Sequence, residues 1–421
     1  MSATKSIPPI IVCFWLIASG TSASATVDIV SLTVESTTSQ SQEDVPVTFG
    51  QVFAPGDVAD ERTLAARLDD GKVLPLQIDA KARHGDGTLR HAVITTRLPV
   101  LPARSSSLIH LYVPGDGTGA VGPSVQLADL LATDFDAQIR VDIGGTTYSA
   151  TARELIGAGS SSKWLDGPIV SEWHVSGAIR TANGTPHPHL SARFHIRSYA
   201  GQQAARVSVT LENSWSRVLD PGNFTYDVEV SVARQGIVLS QDNVVHYRQA
   251  RWRRIFWWGA APQTSISHDT SYMQRAAVVP TYDPSLTIPG YVLNEMESQW
   301  QGARTRLMST GLIYGSMPDG GGRPDIAPLP RWTARYLLTQ DERAKISMLG
   351  TGEQAGTFGI HFRDRDTDLP ISLDTYPNIT VLGDYGIFPS CSAGCSTPYE
   401  PDVSHQPSTS FVPYLVTGDF F

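Results

Sequence analysis

The segment from residue 361 to residue 377, HFRDRDTDLPISLDTYP, concentrates side chains that exchange protons or bind anions. Proton removal beside a uronic carboxylate needs a base such as Tyr, His or Lys, a group that neutralises the carboxylate, and a proton donor. We predict catalytic roles for His361 and Tyr376 and substrate-binding roles for Arg363 and Asp364. The alternative is a solvated loop whose alternating Arg and Asp residues pair with one another.

Two further candidates lie beside predicted helices. His405, in SHQPS, stands where a helix begins, so it is either a third catalytic residue or a helix cap. Arg331 and Trp332 offer a guanidinium and a ring that stacks on sugars, and we predict both as substrate-binding residues. A Trp at helical spacing is also typical of a core, which leaves the second interpretation of Trp332 open.

Strict alternation marks the strand HLSARFHIRSY, residues 189–199, and Gly201 predicts the turn of a hairpin to the next strand. Leu190, Ala192, Phe194 and Ile196 share one face, which predicts a core. The other face, which we call the polar face, carries His189, Ser191, Arg193, His195, Arg197 and Tyr199. Arg193, His195 and Arg197 are predicted to bind an acidic glycan, because Arg binds carboxylates in a bidentate manner. An ordinary solvent-facing sheet is the alternative.

No metal site is predicted. His187 and His189 are two possible ligands, but no third follows nearby. The residues do not reveal a cofactor either, and no nucleotide-binding or serine-hydrolase motif occurs.

The N-terminus predicts export. Lys5 precedes a short apolar run, and Ala23-Ser24-Ala25 supplies small residues for cleavage, so residues 1–25 form a signal peptide and the protein is secreted or periplasmic. No later segment is long and apolar enough to span a membrane. Cys391 and Cys395 then remain as a predicted disulfide. The net charge of −9 argues against general nucleic-acid binding.

The composition and the turn pattern define the organisation. Over 421 residues, 36 Gly, 28 Pro and only 17% charged residues indicate a turn-rich globular protein. Short β-type runs fill residues 26–115 and 125–260, a proline-rich connector follows at 261–325, and helical spacing begins after residue 326. Thr339 and Glu342 have the spacing of a capping box for a second helix, and Gly418 predicts the end of a third.

Three segments together resemble a known family. PVTFGQVFAPGDV with VLPLQIDAKARHGDGTLRHAVITT is similar to the N-terminal barrel of exo-rhamnogalacturonan lyase-like proteins. GRPDIAPLPRWTARYLLTQD and HQPSTSFVPYLVTGDFF resemble the first helices of an (α/α) toroid. The resemblance implies a mainly β protein with a C-terminal α part: a small β-barrel, a β-sandwich and the start of a toroid that is cut short within residues 326–421.

The leading functional hypothesis is therefore a polysaccharide lyase-like protein that cleaves a uronic-acid glycan by β-elimination. A glycoside hydrolase on the same scaffold, using paired carboxylates such as Asp364 and Asp374, is one alternative. A non-catalytic glycan-binding or surface protein is the other. All three have a polysaccharide or oligosaccharide as partner, and an acidic one in the leading hypothesis.

Overall fold

The computed structural model describes residues 28–114, 122–159, 161–216, 218–315, 323–377, 394–399 and 406–420. Strands account for 41% of the chain and helices, which lie mostly toward the C-terminus, for 19%. The predicted mainly β fold with a C-terminal α part is confirmed. None of the helices in these ranges has the length and hydrophobicity to cross a bilayer. The predicted signal peptide and His405 lie outside the described residues.

The described residues form nineteen strands, seven α-helices and three short 3-10 helices. The first strands are β1 (Asp28–Ser36), β2 (Gln42–Val52), β3 (Ala65–Leu68), β4 (Val73–Leu74), β5 (Leu76–Arg83), β6 (Leu89–Leu101) and β7 (Ser106–Tyr112). The next are β8 (Ala137–Ile143), β9 (Thr146–Thr151), β10 (Ser161–Asp166), β11 (Val170–Arg180), β12 (Pro186–Tyr199), β13 (Ala205–Glu212), β14 (Trp215–Ser216), β15 (Phe224–Val232), β16 (Gly236–His246), β17 (Arg251–Trp258), β18 (Thr264–His268) and β19 (Arg363–Asp364). The helices are α1 (Leu127–Leu131), α2 (Ala152–Gly157), α3 (Thr270–Arg275), α4 (Gly290–Gln299), α5 (Arg331–Thr339), α6 (Glu342–Gln354) and α7 (Phe411–Thr417).

Two sheets enclose a first core near the N-terminus. One has the order β18-β1-β7-β3-β4 and the other the order β2-β6-β5. Every second residue of β1, namely Val30, Leu32 and Val34, points into this core, as the two-residue period of a strand requires. β18 comes from the predicted connector and pairs antiparallel with β1, so the chain returns to the N-terminal sheets after it has built the second core.

A nine-stranded sheet forms a nearly closed, barrel-like layer around that second core. Its order is β16-β15-β8-β9-β11-β12-β13-β17, with β10 added on β11. β12 and β13 form the hairpin that the sequence predicts, with Gly201 in its turn at a φ of +69°. The apolar residues Leu190, Ala192, Phe194 and Ile196 are completely buried, as the alternation predicts.

The C-terminal helices pack on the N-terminal sheets. α5 and α6 form a helical hairpin, and their buried residues Trp332, Tyr336 and Met348 belong to the first core. Within the described residues these helices complete a β core, and a ring of helical hairpins is not shown. The predicted capping box of Thr339 and Glu342 is wrong. Thr339 ends α5, and Asp341 caps α6 by accepting a hydrogen bond from the Arg343 backbone N–H.

Helix α7 docks on strand β2 at a glycine. Gly50 meets the end of α7 so closely that a Cβ there would lie 2.3 Å from the Leu415 carbonyl oxygen and 2.8 Å from the Gly418 nitrogen. Gly418 ends α7 in the left-handed conformation at a φ of +68°, as predicted from the sequence. Because both atoms at Gly50 belong to the backbone, no side-chain rotation relieves the contact.

We expect Gly50→Ala to lower the free energy of unfolding by about 1–3 kcal/mol, because the added methyl group displaces α7 from β2. Urea unfolding measures the change. Gly85→Ala is the matched control, since a Cβ at Gly85 has no atom within 4 Å. Equal stability of the two variants would contradict the close docking of α7.

Candidate binding site

The polar face of β12 is buried, which contradicts the predicted wet face. His189, His195, Arg197 and Tyr199 are each at most 6% exposed. The loop after α6 and the C-terminal segment 406–420 cover this face, a tertiary arrangement that alternation along one strand does not encode. The face therefore carries a network of ion pairs in place of a solvent layer.

Asp419 holds one half of this network together. Its carboxylate accepts hydrogen bonds from Arg197 Nη2 at 2.9 Å, from Arg253 Nη2 at 3.5 Å and from Arg206. Arg197 and Arg206 lie directly opposite each other on β12 and β13, a like-charge pair that is unfavourable without a shared anion. Burial opposes ionisation of Asp419, but the three guanidinium groups outweigh it and hold its pKa well below the usual range.

Glu212 holds the other half together. Its Oε2 accepts from Arg193 Nε at 2.5 Å and from Arg363 Nε at 2.8 Å. Arg193 also donates to Asp368 at 2.5 Å. Burial raises the pKa of Glu212, but the nearby arginines, Arg193 first, lower it to about 2. The loop 361–377 is thus attached to the polar face through Arg363 and Asp368.

Four of the predicted substrate-binding residues therefore bind protein groups. Arg193, Arg197 and Arg363 pair with buried carboxylates. Asp364 closes a turn by accepting the backbone N–H groups of Asp366 at 2.9 Å and Thr367 at 3.0 Å. The structure brings the loop and the polar face together, but it does so through contacts that stabilise the fold.

The predicted catalytic residues His361 and Tyr376 lie in different environments. His361 is enclosed beside Arg251, and burial followed by that like charge lowers its pKa to about 3. Tyr376 donates a long hydrogen bond of 3.4 Å to Asp364. A neutral, enclosed His361 is poorly suited to exchange protons with a polymer near neutral pH. His405 lies outside the described residues, so these positions are not seen as one site.

A cluster of Glu172, His174 and His195 has ligand-type atoms within 4.8 Å of one another. Glu172 accepts from His174 Nε2 at 3.0 Å, and the two imidazole rings stack at 3.7 Å with an angle of 19° between them. An imidazole binds zinc at about 2.0–2.1 Å through a lone pair in the ring plane, and two nearly parallel planes this far apart do not share such a point. The described geometry is that of a stacked histidine pair between arginines.

A different group of arginines lines an open cavity of about 510 Å³. Arg304, Arg331 and Arg335 all contribute to it, and none of them has a side-chain ion pair or hydrogen bond within the described part of the chain. We call it the arginine cavity. No Asp or Glu is among the described residues that line it, although Tyr314 and Tyr399 are. Among the arginines predicted to bind substrate, only Arg331 lacks a side-chain partner within the described residues.

Helix α5 determines this arrangement. Arg331 and Arg335 are four residues apart, so they share one face of the helix. Pro330 fixes the backbone before the helix, and Arg331 N–H donates to the Pro324 carbonyl at 2.7 Å. Burial, followed by the like charge of Arg331, lowers the pKa of Arg335. The two cations therefore repel each other, and the charge of Glu295 on α4 opposes this effect on Arg335 only in part.

Trp332 is a core residue that also borders the cavity, and its predicted role in substrate binding stays a prediction. It is only 3% exposed and belongs to the first core, yet it also lines the arginine cavity. Sequence reasoning missed Arg304, Arg335, Tyr314 and Tyr399. The spacing of the two arginines in RWTAR was a usable signal, whereas Arg304 and the tyrosines reach the cavity only through the fold.

Comparisons with known proteins give no family. No protein-family model matches the chain, and no curated protein matches it. Among solved structures, a glycosyl hydrolase family 38 protein from Enterococcus faecalis has 8% identity and a TM-score of 0.29, with 60% of this chain and 47% of that chain covered. An α-mannosidase from Enterococcus faecalis has 10% identity and a TM-score of 0.26, with 59% and 44% covered. The chain thus spans less than half of either protein, and similarity at this level does not assign an activity.

We expect Arg197→Ala to lower the free energy of unfolding by about 3–5 kcal/mol, because it leaves Glu172 and part of Asp419 buried without a cation. Denaturant unfolding measures this loss. Arg67→Ala, which removes a partly exposed pair with Asp28, is the control and should cost less than about 1 kcal/mol. If the two variants lose equal stability, the buried network is not a major constraint.

We also expect stability to fall as the pH drops below about 6.5. Burial lowers the pKa of His246 and of His268 to about 4. As the pH falls, these histidines are therefore protonated in the unfolded chain before they are protonated in the native state, which lowers the free energy of unfolding. Below about pH 4.5 the same argument applies to Glu172 and Glu212, whose native pKa values are about 2. Urea unfolding from about pH 7.5 to about pH 4 tests this order. A flat profile above pH 5 would contradict it.

Proposed function

We propose that the protein is a carbohydrate-active protein that binds an acidic glycan in the arginine cavity. The observation that carries this proposal is the set of three arginines around one cavity whose described lining has no Asp or Glu; the only acidic influence on Arg335 within the described residues is the charge of Glu295, outside that lining. Guanidinium groups bind carboxylates in a bidentate manner. The predicted lyase needs the same carboxylate recognition, but glycan binding requires no catalytic group and therefore fits the described residues better.

The surrounding groups suit a sugar. Trp332, Tyr314 and Tyr399 add aromatic surface to the cavity wall, and aromatic side chains present a flat apolar face with a polar edge. Arg331 is also the first residue of α5, where the helix dipole favours negative charge. A uronate carboxylate beside Arg331 would interact favourably with the positive end of the helix dipole. It would also reduce the repulsion between Arg331 and Arg335. The positive charge of the cavity therefore favours an acidic glycan.

The protein is further proposed to be secreted or periplasmic. Cys395 is disulfide-bonded, which supports an oxidising compartment. Its predicted partner, Cys391, and the predicted signal peptide lie outside the described residues. A glycan ligand is consistent with such a location.

β-Elimination is a second candidate function, favoured by one observation. Tyr314, a residue of the type that acts as a base in this reaction, lines the same cavity as the arginines, with the Arg323 guanidinium 5.8 Å from its ring. The hydrolase hypothesis would need another site, because the described lining of this cavity lacks a carboxylate pair. If elimination occurs, Tyr314→Phe should abolish the ultraviolet-absorbing unsaturated product and retain glycan binding.

Calorimetric titration with an oligogalacturonate, and with a neutral galacto-oligosaccharide of the same length, tests the binding proposal. We expect the acidic ligand to bind and the neutral one to bind much more weakly. Arg331→Ala/Arg335→Ala should weaken binding at least about tenfold, since each charged hydrogen bond contributes about 1.5–3 kcal/mol. Binding should also weaken as the salt concentration rises.

Arg90→Ala/Arg180→Ala is the matched control, because it removes the same charge at exposed positions outside the cavity. It should bind like the wild type. Equal affinity for the acidic and neutral ligands, or unchanged binding by the cavity variant, would refute the proposal.

A further inference from the structure

A second cavity lies where three parts of the fold meet. It has a volume of about 210 Å³ and is lined by Thr48 from β2, Tyr199 and Arg206 from the β12–β13 hairpin, Trp257 from β17, and Lys345 from α6. We call it the junction cavity. One water needs about 10–15 Å³ of such space, so this volume accommodates a small organic molecule.

Its charged groups are unevenly balanced. Arg197, Arg206 and Lys345 face one acidic residue, Asp419, among the described residues of the lining. Asp419 is already shared with Arg253 behind the cavity. His268 does not add to the negative side, since it is neutral at physiological pH: burial lowers its pKa to about 4. Outside the lining, Glu172 balances Arg197 and Glu353 balances Arg253. Arg206 and Lys345 are therefore the cations that an anion in the cavity would meet.

Lys345 is the least compensated cation of this cavity. Its Nζ donates to Ser265 Oγ at 2.9 Å and to the Ile266 carbonyl at 3.2 Å, which are neutral acceptors. The nearest carboxylate oxygen, on Glu342, is 3.6 Å away on a side chain that is 51% exposed. Burial lowers the pKa of Lys345 even though Glu342 and, more weakly, Glu35 oppose the change. An anion inside the cavity would stabilise the ammonium form.

The remaining wall is apolar and aromatic. Trp257 and Tyr199 have parallel rings, 8° apart in orientation at a centroid distance of 6.2 Å. Val47, Pro262 and Ile266 add aliphatic surface. A purely inorganic anion would leave this surface uncovered, whereas an organic acid contacts both kinds of wall.

We propose that the junction cavity binds a small organic carboxylate, with the carboxylate group at Lys345 and Arg206 and the apolar part on Trp257. This site is separate from the arginine cavity and shares none of its lining residues. The proposed ligand has the size of a short-chain acid, since the volume of the junction cavity is less than half that of the arginine cavity.

Butyrate is the probe, with butyramide as its neutral analogue and sulfate as an inorganic anion. Titration followed by nuclear magnetic resonance of the full-length protein should show saturable binding of butyrate and much weaker binding of the other two. Lys345→Met should weaken butyrate binding at least about tenfold, as loss of a charged hydrogen bond predicts. Lys72→Met, at an exposed lysine outside the cavity, should leave it unchanged.

Lysine labelling gives a second readout in case Lys345→Met does not fold. The chain has few lysines, so [13C]lysine signals are resolved, and Lys345→Arg identifies the signal of Lys345. Butyrate should move the titration of that signal to higher pH, because a carboxylate favours the ammonium form. An insensitive Lys345 signal, or equal binding of butyrate and butyramide, would overturn the proposal.

Equal binding of sulfate would also overturn it, since the site would then accept any anion. Arg331→Ala/Arg335→Ala separates the two proposals. That variant should lose oligogalacturonate binding and keep butyrate binding. Loss of both ligands would mean that the junction cavity is not an independent site.

Discussion

The polar face of the nine-stranded sheet is buried only because its arginines meet carboxylates from the neighbouring strands and from the C-terminal segment. Glu172 and Glu212 come from neighbouring strands, whereas Asp419 comes from the C-terminal segment. Buried guanidinium groups are very costly without a partner, and removing one member of such a pair costs far more than the pair contributes. The position of the last residues is therefore coupled to the integrity of the sheet.

This constraint explains how the two cores are joined. Asp419 follows α7, and α7 packs against β2 of the N-terminal sheets at Gly50. Trp164 of β10 donates through Nε1 to the Gly418 carbonyl at 2.8 Å, and Phe420 packs on His174 and His195. One short segment thus contacts both β units. The junction cavity lies beside this segment, and Val416, Thr417 and Asp419 form part of its wall.

The difference between paired and unpaired arginines separates structure from candidate function. Arginines on the polar face have buried carboxylate partners, and their positions are fixed by the fold. Arg304, Arg331 and Arg335 surround a cavity whose described lining has no acidic residue. A protein has no structural reason to hold cations close together without anions, since their repulsion destabilises the folded chain. The proposed function supplies an external anion to balance this charge.

The sequence by itself determined the local structure. Alternation in residues 189–199 and the glycine at 201 specified the β12–β13 hairpin, and Gly418 specified the end of α7, because these features depend on neighbouring residues. Residue type also marked Arg331 and Trp332. Only the tertiary structure decided which polar face is buried, because alternation shows that two faces differ but not what covers each. It also decided that the helices complete a β core, and it brought Arg304, Tyr314 and Tyr399 to Arg331. Those contacts join residues far apart in the chain, and their free energy depends on burial and charge pairing that no local pattern records.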